Sequence, residues 1–386
     1  VSDQPPATAP AAQTFRANDL GAWRTAYASI TPLLVHLNGD TTWLLQLPVP
    51  PSPSTSATTT TTRSHFNVLL DPWLQGPQSD VASWFSTQWH IVAPTVKTIA
   101  ELQNILRQLE HDDNDGNNDD KTSSYIDAVT ISHEFTDHCH EATLRELPAT
   151  TPVFATDKAA ALIRSWKHFD TVVTTPDYSI TSSVSSSDGT AAAAALGDWH
   201  NVLSVKPLPP WLGIGRVVTP GNSLYYHSAV MIVFDRASPS TPRTTNTTSP
   251  TALPLSPPPP AEAVLYSPHG IKASDLAGIA SHPAIDTLAL LHGLHDVRIW
   301  MTKQLNLGAH NGLEAVRACG ARYWVATHDE VKSGGGFIAP LLRRVQYTVA
   351  DAVGGTAPAA TDGSAAGEDE DKYQFVELGS GDGLVL

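Results

Sequence analysis

Three apolar runs of strand length in this chain each end in a histidine. "AVTISH" leads through Ile131 to His133, "AEAVLYSPH" closes on His269, and "RYWVATH" closes on His328. A fourth run, "FNVLLDPWL", stops at Asp71-Pro72. Short apolar runs bounded by turn residues read as buried strands. Side chains just past strand ends project into the loops along one sheet edge, where binding groups gather on a rigid scaffold. Strands of this kind, each delivering an imidazole, restrict the chain to folds whose sheets share one functional edge.

The remaining pattern supplies the other elements. "TPLLVHLNGDTTWLLQLP" (31–48) is two apolar runs around Asn38-Gly39-Asp40, a hairpin signal. Helical spacing of Ile99, Leu102, Ile105, Leu106 and Leu109 predicts a helix over 95–110. Further helices are predicted over 138–147, over 156–166, and at "NGLEAVRAC", closed by Gly320. "FDTVVTT", "NVLSVKPLP", "SAVMIVF" and "DTLALLHGL" read as additional strands. Strands mixed with helices imply sheets covered by helices.

Biased segments interrupt this pattern at 51–64, 111–122, 179–196, 237–260 and 354–372. Their Ser/Thr/Pro or acidic composition buries too little apolar surface to offset the entropy of ordering, so they read as surface insertions. The expected organisation is a disordered segment over 1–15, a single domain over 16–353, an acidic insertion over 354–372, and a C-terminal strand or tail over 373–386. The net charge of −15 arises from 38 acidic against 23 basic residues. Much of that acidity lies in the tracts 111–120 and 361–372 and says little about a ligand. No basic cluster exceeds Arg343-Arg344, which argues against nucleic acid as a partner and leaves a small molecule. No apolar run approaches the roughly 18 residues of a membrane span. Two cysteines, Cys139 and Cys319, make no disulfide framework, so a reducing compartment, the cytoplasm, is expected.

The chemistry concentrates in "YIDAVTISHEFTDHCH", residues 125–140. His133, Asp137 and His138 there, with His269 and His328, form an imidazole–carboxylate set suited to zinc, iron or manganese. Cys139 reads as a small buried residue and His140 as part of the following helix. His227 reads as a strand histidine satisfied by a neighbour. "KSGGGF" (332–337) lacks the context of a phosphate loop and reads as a flexible rim beside the site. Trp73, Trp84 and Trp211 are candidates for an apolar pocket wall or for core packing.

"SHEFTDH" (132–138) resembles the His-x-His-x-Asp-His motif of the metallo-β-lactamase superfamily. The hairpin, "VLLDPWL", "VLYSPHG" and "GARYWVATH" follow in that family's order over about residues 30 to 350. The branch it resembles contains ascorbate-lactonase-like hydrolases and N-acylphosphatidylethanolamine phospholipase D. The resemblance implies an αββα sandwich, with helices outside two face-to-face mixed sheets and metals at one edge. It matches Asp137, His138 and His328 to ligands of the second metal and His133 to a ligand of the first. Three positions depart from the pattern: Phe135 replaces a histidine, Pro209-Pro210-Trp211 stands where another is expected, and His269 replaces the bridging aspartate.

A neutral imidazole has one free lone pair and cannot bridge two cations. The expectation is therefore at most one ion, zinc or else iron or manganese, held by Asp137, His138, His269 and His328. His133 or Asp71 would move protons, and Asp71 would also buttress the metal loop. The implied activity is metal-assisted hydrolysis of a small ester, lactone, amide or phosphodiester. The alternative is a metal-free, inactive member that binds a ligand or partner, because apolar residues in a former metal pocket favour emptiness.

Overall fold

The computed structural model describes residues 11–51, 63–111, 124–178, 199–218, 225–236, 260–280, 285–300, 303–354 and 373–386. Apart from a few end residues, the five segments expected as insertions lie outside the described residues.

Two mixed sheets dominate. The first has eight strands, in the order Thr14–Arg16, Asp382–Val385, Leu33–His36, Trp43–Pro48, His65–Leu70, Ala128–Ile131, Val153–Ala155 and Val172–Thr174. Pairing is antiparallel up to His65–Leu70 and parallel from there on. The second has seven, in the order Gln374–Val376, Tyr323–Val325, Ile285–His292, Ala261–Ser267, Ser228–Phe234, Leu212–Val218 and Asp177–Tyr178. Its first four strands are mutually parallel, and Ser228–Phe234 runs antiparallel to both neighbours.

Alternation along the strands sorts side chains into layers. Leu34, Trp43, Leu45, Val68 and Leu70 of the first sheet meet Ile214, Ile232, Val264, Tyr266 and Leu291 of the second in one buried cluster. Leu33, Val35, Leu44, Leu69 and Val129 point the other way, onto the helices Leu20–Tyr27, Ile99–Glu110 and Asp157–Ser165. On the far side, Ala229, Met231, Val233, Leu265 and Leu290 face the helices Ala273–Ala280 and Ala309–Cys319. The layers run helix, sheet, sheet, helix: an αββα sandwich. Both faces of each sheet are covered, so the strands read as continuous apolar runs. Each Leu or Val so removed from water contributes about 1.5–3 kcal/mol.

Local signals set several boundaries. The Oγ1 of Thr98 accepts from the Glu101 N–H and starts Ile99–Glu110. Gly320, at φ +66°, ends Ala309–Cys319 in the left-handed region.

Four expectations need correction. "NVLSVKPLP" is not a strand: Trp199–Leu203 is a helical turn, and the strand follows at Leu212–Val218. Pro207, Pro209 and Pro210 lack the N–H groups a ladder needs. Gly213 and Gly215 let that turn seat on the strand, since a Cβ at either would lie 2.8 or 2.5 Å from Leu203. The helix expected over 138–147 shrinks to Glu141–Leu144, with His140 as its N-cap. Thr14–Arg16 is a strand, so sheet structure reaches into the 1–15 segment expected to be disordered; it pairs with Asp382–Val385 in the C-terminal segment expected as a strand or tail. Finally, Ser333–Gly335 of the supposed flexible rim forms a strand paired with Thr87–Trp89.

Candidate metal centre

The loops after several strands converge on one edge of the sandwich. His133 lies two residues past Ala128–Ile131 and His269 two past Ala261–Ser267, while His328 lies three past Tyr323–Val325. Asp71 directly follows His65–Leu70, and Asp40 sits in the turn between Leu33–His36 and Trp43–Pro48. Asp71 (φ +40°) and His328 (φ +59°) occupy the left-handed region, which costs a non-glycine residue about 1–3 kcal/mol. The surrounding bonds hold both there. The Ser132 N–H and hydroxyl donate to Asp71 at 2.8 and 2.5 Å, and the His328 N–H donates to the Asp40 carbonyl at 3.0 Å.

Ring centroids of His138, His269 and His328 lie 4.8 to 5.0 Å apart, and His133 is 3.9 Å from His138 and 4.4 Å from His269. Among these side chains the donor atoms gather as two overlapping triads. His133, His138 and His269 bring ligand atoms within 4.8 Å of one another, and Asp137, His138 and His328 do the same. His138 belongs to both sets, and His133, expected to move protons, enters the first.

The first set is defined by what its outer nitrogens lack. The Nε2 atoms of His133, His138 and His269 are buried and make no hydrogen bond within the protein, that of His138 facing Asp137 Oδ1 at 3.6 Å. The opposite ring edges of two of them are fixed. His138 Nδ1 is 2.7 Å from Asp71 Oδ2, and His269 Nδ1 is 2.8 Å from Asn306 Oδ1. An Nδ1–H donated to those oxygens leaves the Nε2 lone pair free for a cation. Burial, followed by the neighbouring imidazoles, pushes His133 and His269 well below the usual histidine range, so both rings stay neutral. Burial also opposes charge on His138, but Asp137 and Asp71 outweigh it and raise its pKa. A position that favours positive charge at that ring suits a metal ion.

The second set is already compensated. Lys332, whose side chain is 4% exposed, places Nζ 2.6 Å from Asp40 Oδ2, 3.1 Å from Asp137 Oδ2 and 3.5 Å from His328 Nδ1. His328 Nδ1 also lies 3.1 Å from Asp40 Oδ1. Burial alone would raise Asp40 and Asp137, but the ammonium and the nearby imidazoles hold both below the usual carboxylate range. The same carboxylates overcome the burial of Lys332 and raise its pKa.

A cavity of about 570 Å³ opens over this floor, which is formed by Asp137, His269, His328 and Lys332. Its walls include Phe85, Phe135, Ile299, Ile338 and Leu342. Phe135 packs its ring 4.7 Å from His133. Asp71 is fully buried behind His138 and bonds to that ring rather than to His133.

Other candidates fall away from the centre. His227 Nε2 is 3.0 Å from the Leu305 carbonyl, and His140 caps a helical turn. Trp73 is buried with Lys332 Nζ 5.6 Å over its ring, Trp84 is exposed, and Trp211 packs edge-on against Phe66; none of the three lines the cavity. Cys139 and Cys319 are free and buried.

Lys332 and Asp40 were not legible as site residues. Asp40 carries the signal of a hairpin turn, and Lys332 that of a glycine-rich rim. The one available hint was the spacing of four residues between His328 and Lys332.

No protein-family profile and no curated protein matches this chain. Among solved structures it is similar to an isothiocyanate hydrolase from Delia radicum gut bacteria, at 14% identity over 92% of this chain and 98% of that one, with a TM-score of 0.47. It is also similar to a possible metal-dependent hydrolase from Veillonella parvula, at 12% identity over 92% and 100% of the two chains, TM-score 0.48. The metallo-β-lactamase fold protein YhfI from Bacillus subtilis shares 11% identity over 77% and 86%, TM-score 0.35. Among the described residues no helix is long and apolar enough to cross a membrane.

Proposed function

We propose that this protein is a metal-dependent hydrolase that works with a single ion and acts on a small ester, lactone, amide or phosphodiester. The observation that carries the reading is the convergence of three buried Nε2 atoms that make no hydrogen bond, from His133, His138 and His269. Burying three such acceptors without partners is costly, and one cation would satisfy all of them at once. Three imidazoles are also a known catalytic zinc set, one that leaves a coordination position open. Iron or manganese suits the same donors. Placement within the ascorbate-lactonase-like branch rests on the "SHEFTDH", "VLYSPHG" and "GARYWVATH" motifs.

When bound, such an ion lowers the pKa of water and polarises a carbonyl or phosphoryl oxygen. The chain's own residues do the rest. Asp71 and Asn306 fix the orientation of the His138 and His269 rings. Asp137, held ionised and open to the cavity, accepts a hydrogen bond from an entering water and orients it. Lys332, on the same floor, stabilises negative charge developing on a substrate oxygen. Phe135 and the apolar walls exclude bulk water from that oxygen. His133 serves as a ligand, and the enclosed Asp71 is kept from the reacting groups.

A second reading, a metal-free ligand-binding protein, is favoured by Lys332, which already supplies positive charge at the centre. Elemental analysis of protein purified without added metal separates the two. About one equivalent of zinc, iron or manganese, lost in His269→Ala along with hydrolysis of a panel of aryl esters and lactones, supports the hydrolase. Absence of metal after reconstitution supports the binder.

A further inference from the structure

We propose that the Lys332 ammonium is the resident cation of the Asp40–Asp137–His328 half of the site, filling the place where a second divalent ion would otherwise bind. The inference builds on the single-metal reading above, but its test is separable from it. With His138 Nε2 committed to the first ion, Asp137 and His328 are the members of the second metal-binding group left for this half. Asp40, fully buried, adds a further carboxylate at 3.1 Å from His328. Such a cluster needs positive charge, because buried carboxylates are tolerated only when paired. Lys332 provides it with contacts of 2.6 and 3.1 Å to the two carboxylates.

The lysine is not a mobile side chain that happens to reach inward. Its segment is fastened before and after it. Glu330 accepts from the N–H groups of Ile91 and Val92 at 2.7 and 2.8 Å, and its other oxygen lies 2.5 Å from His90 Nδ1. Ser333–Gly335 pairs with Thr87–Trp89. Gly336, at φ +95°, brings the backbone so close that a Cβ would lie 2.6 Å from the Phe85 carbonyl oxygen. The Phe337 and Ile338 N–H groups then donate to the Trp84 and Phe85 carbonyls. The stretch that reads as a flexible glycine rim is a rigid mount for one ammonium group.

Charge balance agrees. Asp40, Asp71 and Asp137 bring three negative charges, and Lys332 returns one. A surplus of negative charge of this kind suits a divalent ion at the three histidines. A second divalent ion beside the ammonium would leave the buried centre strongly positive, which a low-dielectric interior disfavours.

The test is the stoichiometry of zinc binding to chelator-stripped protein, read by calorimetric titration and elemental analysis. Wild type is expected to saturate at one equivalent, Lys332→Met at two, and the double variant Lys332→Met/Asp40→Asn again at one. Two equivalents in wild type, or no gain over wild type in a folded Lys332→Met variant, overturn the proposal. The wild-type arm stands even if the variant fails to fold. If wild type binds no zinc while Lys332→Met gains one equivalent, the single-metal reading falls and the role of Lys332 stands. If His269→Ala removes the wild-type equivalent but Lys332→Met gains nothing, the reading stands and the role of Lys332 falls.

Discussion

His133, His138 and His269 end in buried ring nitrogens that make no hydrogen bond, whereas Asp40, Asp137 and His328, a few ångströms away, surround an ammonium group. Both clusters come from loops along the same sheet edge, and both contain residues that bind metals. They differ in what fills them. One is a set of lone pairs held open by Asp71 and Asn306, and the other a set of negative charges closed by Lys332. The contrast teaches that residue type and spacing do not by themselves define a metal site. The decisive quantity is whether the protein supplies its own cation.

Removing the shared residue should have the largest effect. His138→Ala deletes the one ring common to both groups, and the expected outcome is no metal at saturating zinc, checked by elemental analysis after desalting. Retention of a full equivalent would mean the ion sits elsewhere.

Next in size is Asp40→Ala. It leaves Lys332 buried with one carboxylate in place of two and strips His328 of its partner. Breaking a buried pair in this way costs about 3–5 kcal/mol, to be read from urea unfolding. An unchanged midpoint would show that the ammonium is not held where the structure has it.

A smaller effect belongs to Asp71→Asn, which weakens the anchor behind His138 without touching its metal-facing nitrogen. Zinc affinity should fall about 10–100-fold with stoichiometry unchanged. A change in stoichiometry would break the distinction between holding a ligand and being one.

The smallest concerns His36, a buried imidazole outside the centre that sharpens the comparison. Its Nδ1 lies 2.7 Å from the Leu378 carbonyl, to which the neutral ring donates, its Nε2 lies 3.4 Å from the Asp40 carbonyl, and the ring stacks on Trp43. Burial pushes its pKa down to about 4. Because the folded value lies below the unfolded value of about 6.5, the unfolded chain binds the extra proton first. Stability is therefore full above about pH 6.5 and falls as pH drops toward 4. At pH 5.5 the loss from this residue is about 1 kcal/mol. His36→Gln should flatten the pH dependence by that amount in denaturant titrations, and an identical slope would show that this ring does not titrate as described.

Much of the architecture could be read from residues alone. The hairpin about Asn38-Gly39-Asp40, the amphipathic helix at Ile99–Glu110 and the strands leading to His133, His269 and His328 all follow from apolar periodicity and turn chemistry, which are local properties. The region around Pro207 misled because apolar content was weighed without the missing N–H donors. The division of the site was harder to see. His269 joins His133 only because the two sheets bring loops 136 residues apart into contact, and sequence order carries no such distance. Lys332 was hidden for another reason. Its glycine neighbours suggest freedom, but pairing with Thr87–Trp89 and the close approach to Phe85 turn them into a fixed support.

The most direct test of the whole account is the anomalous scattering of a zinc-soaked crystal collected at the zinc edge. The account predicts a single peak between the Nε2 atoms of His133, His138 and His269, with the Lys332 ammonium still bound to Asp40 and Asp137. A peak between Asp137 and His328 with Lys332 turned away would contradict it.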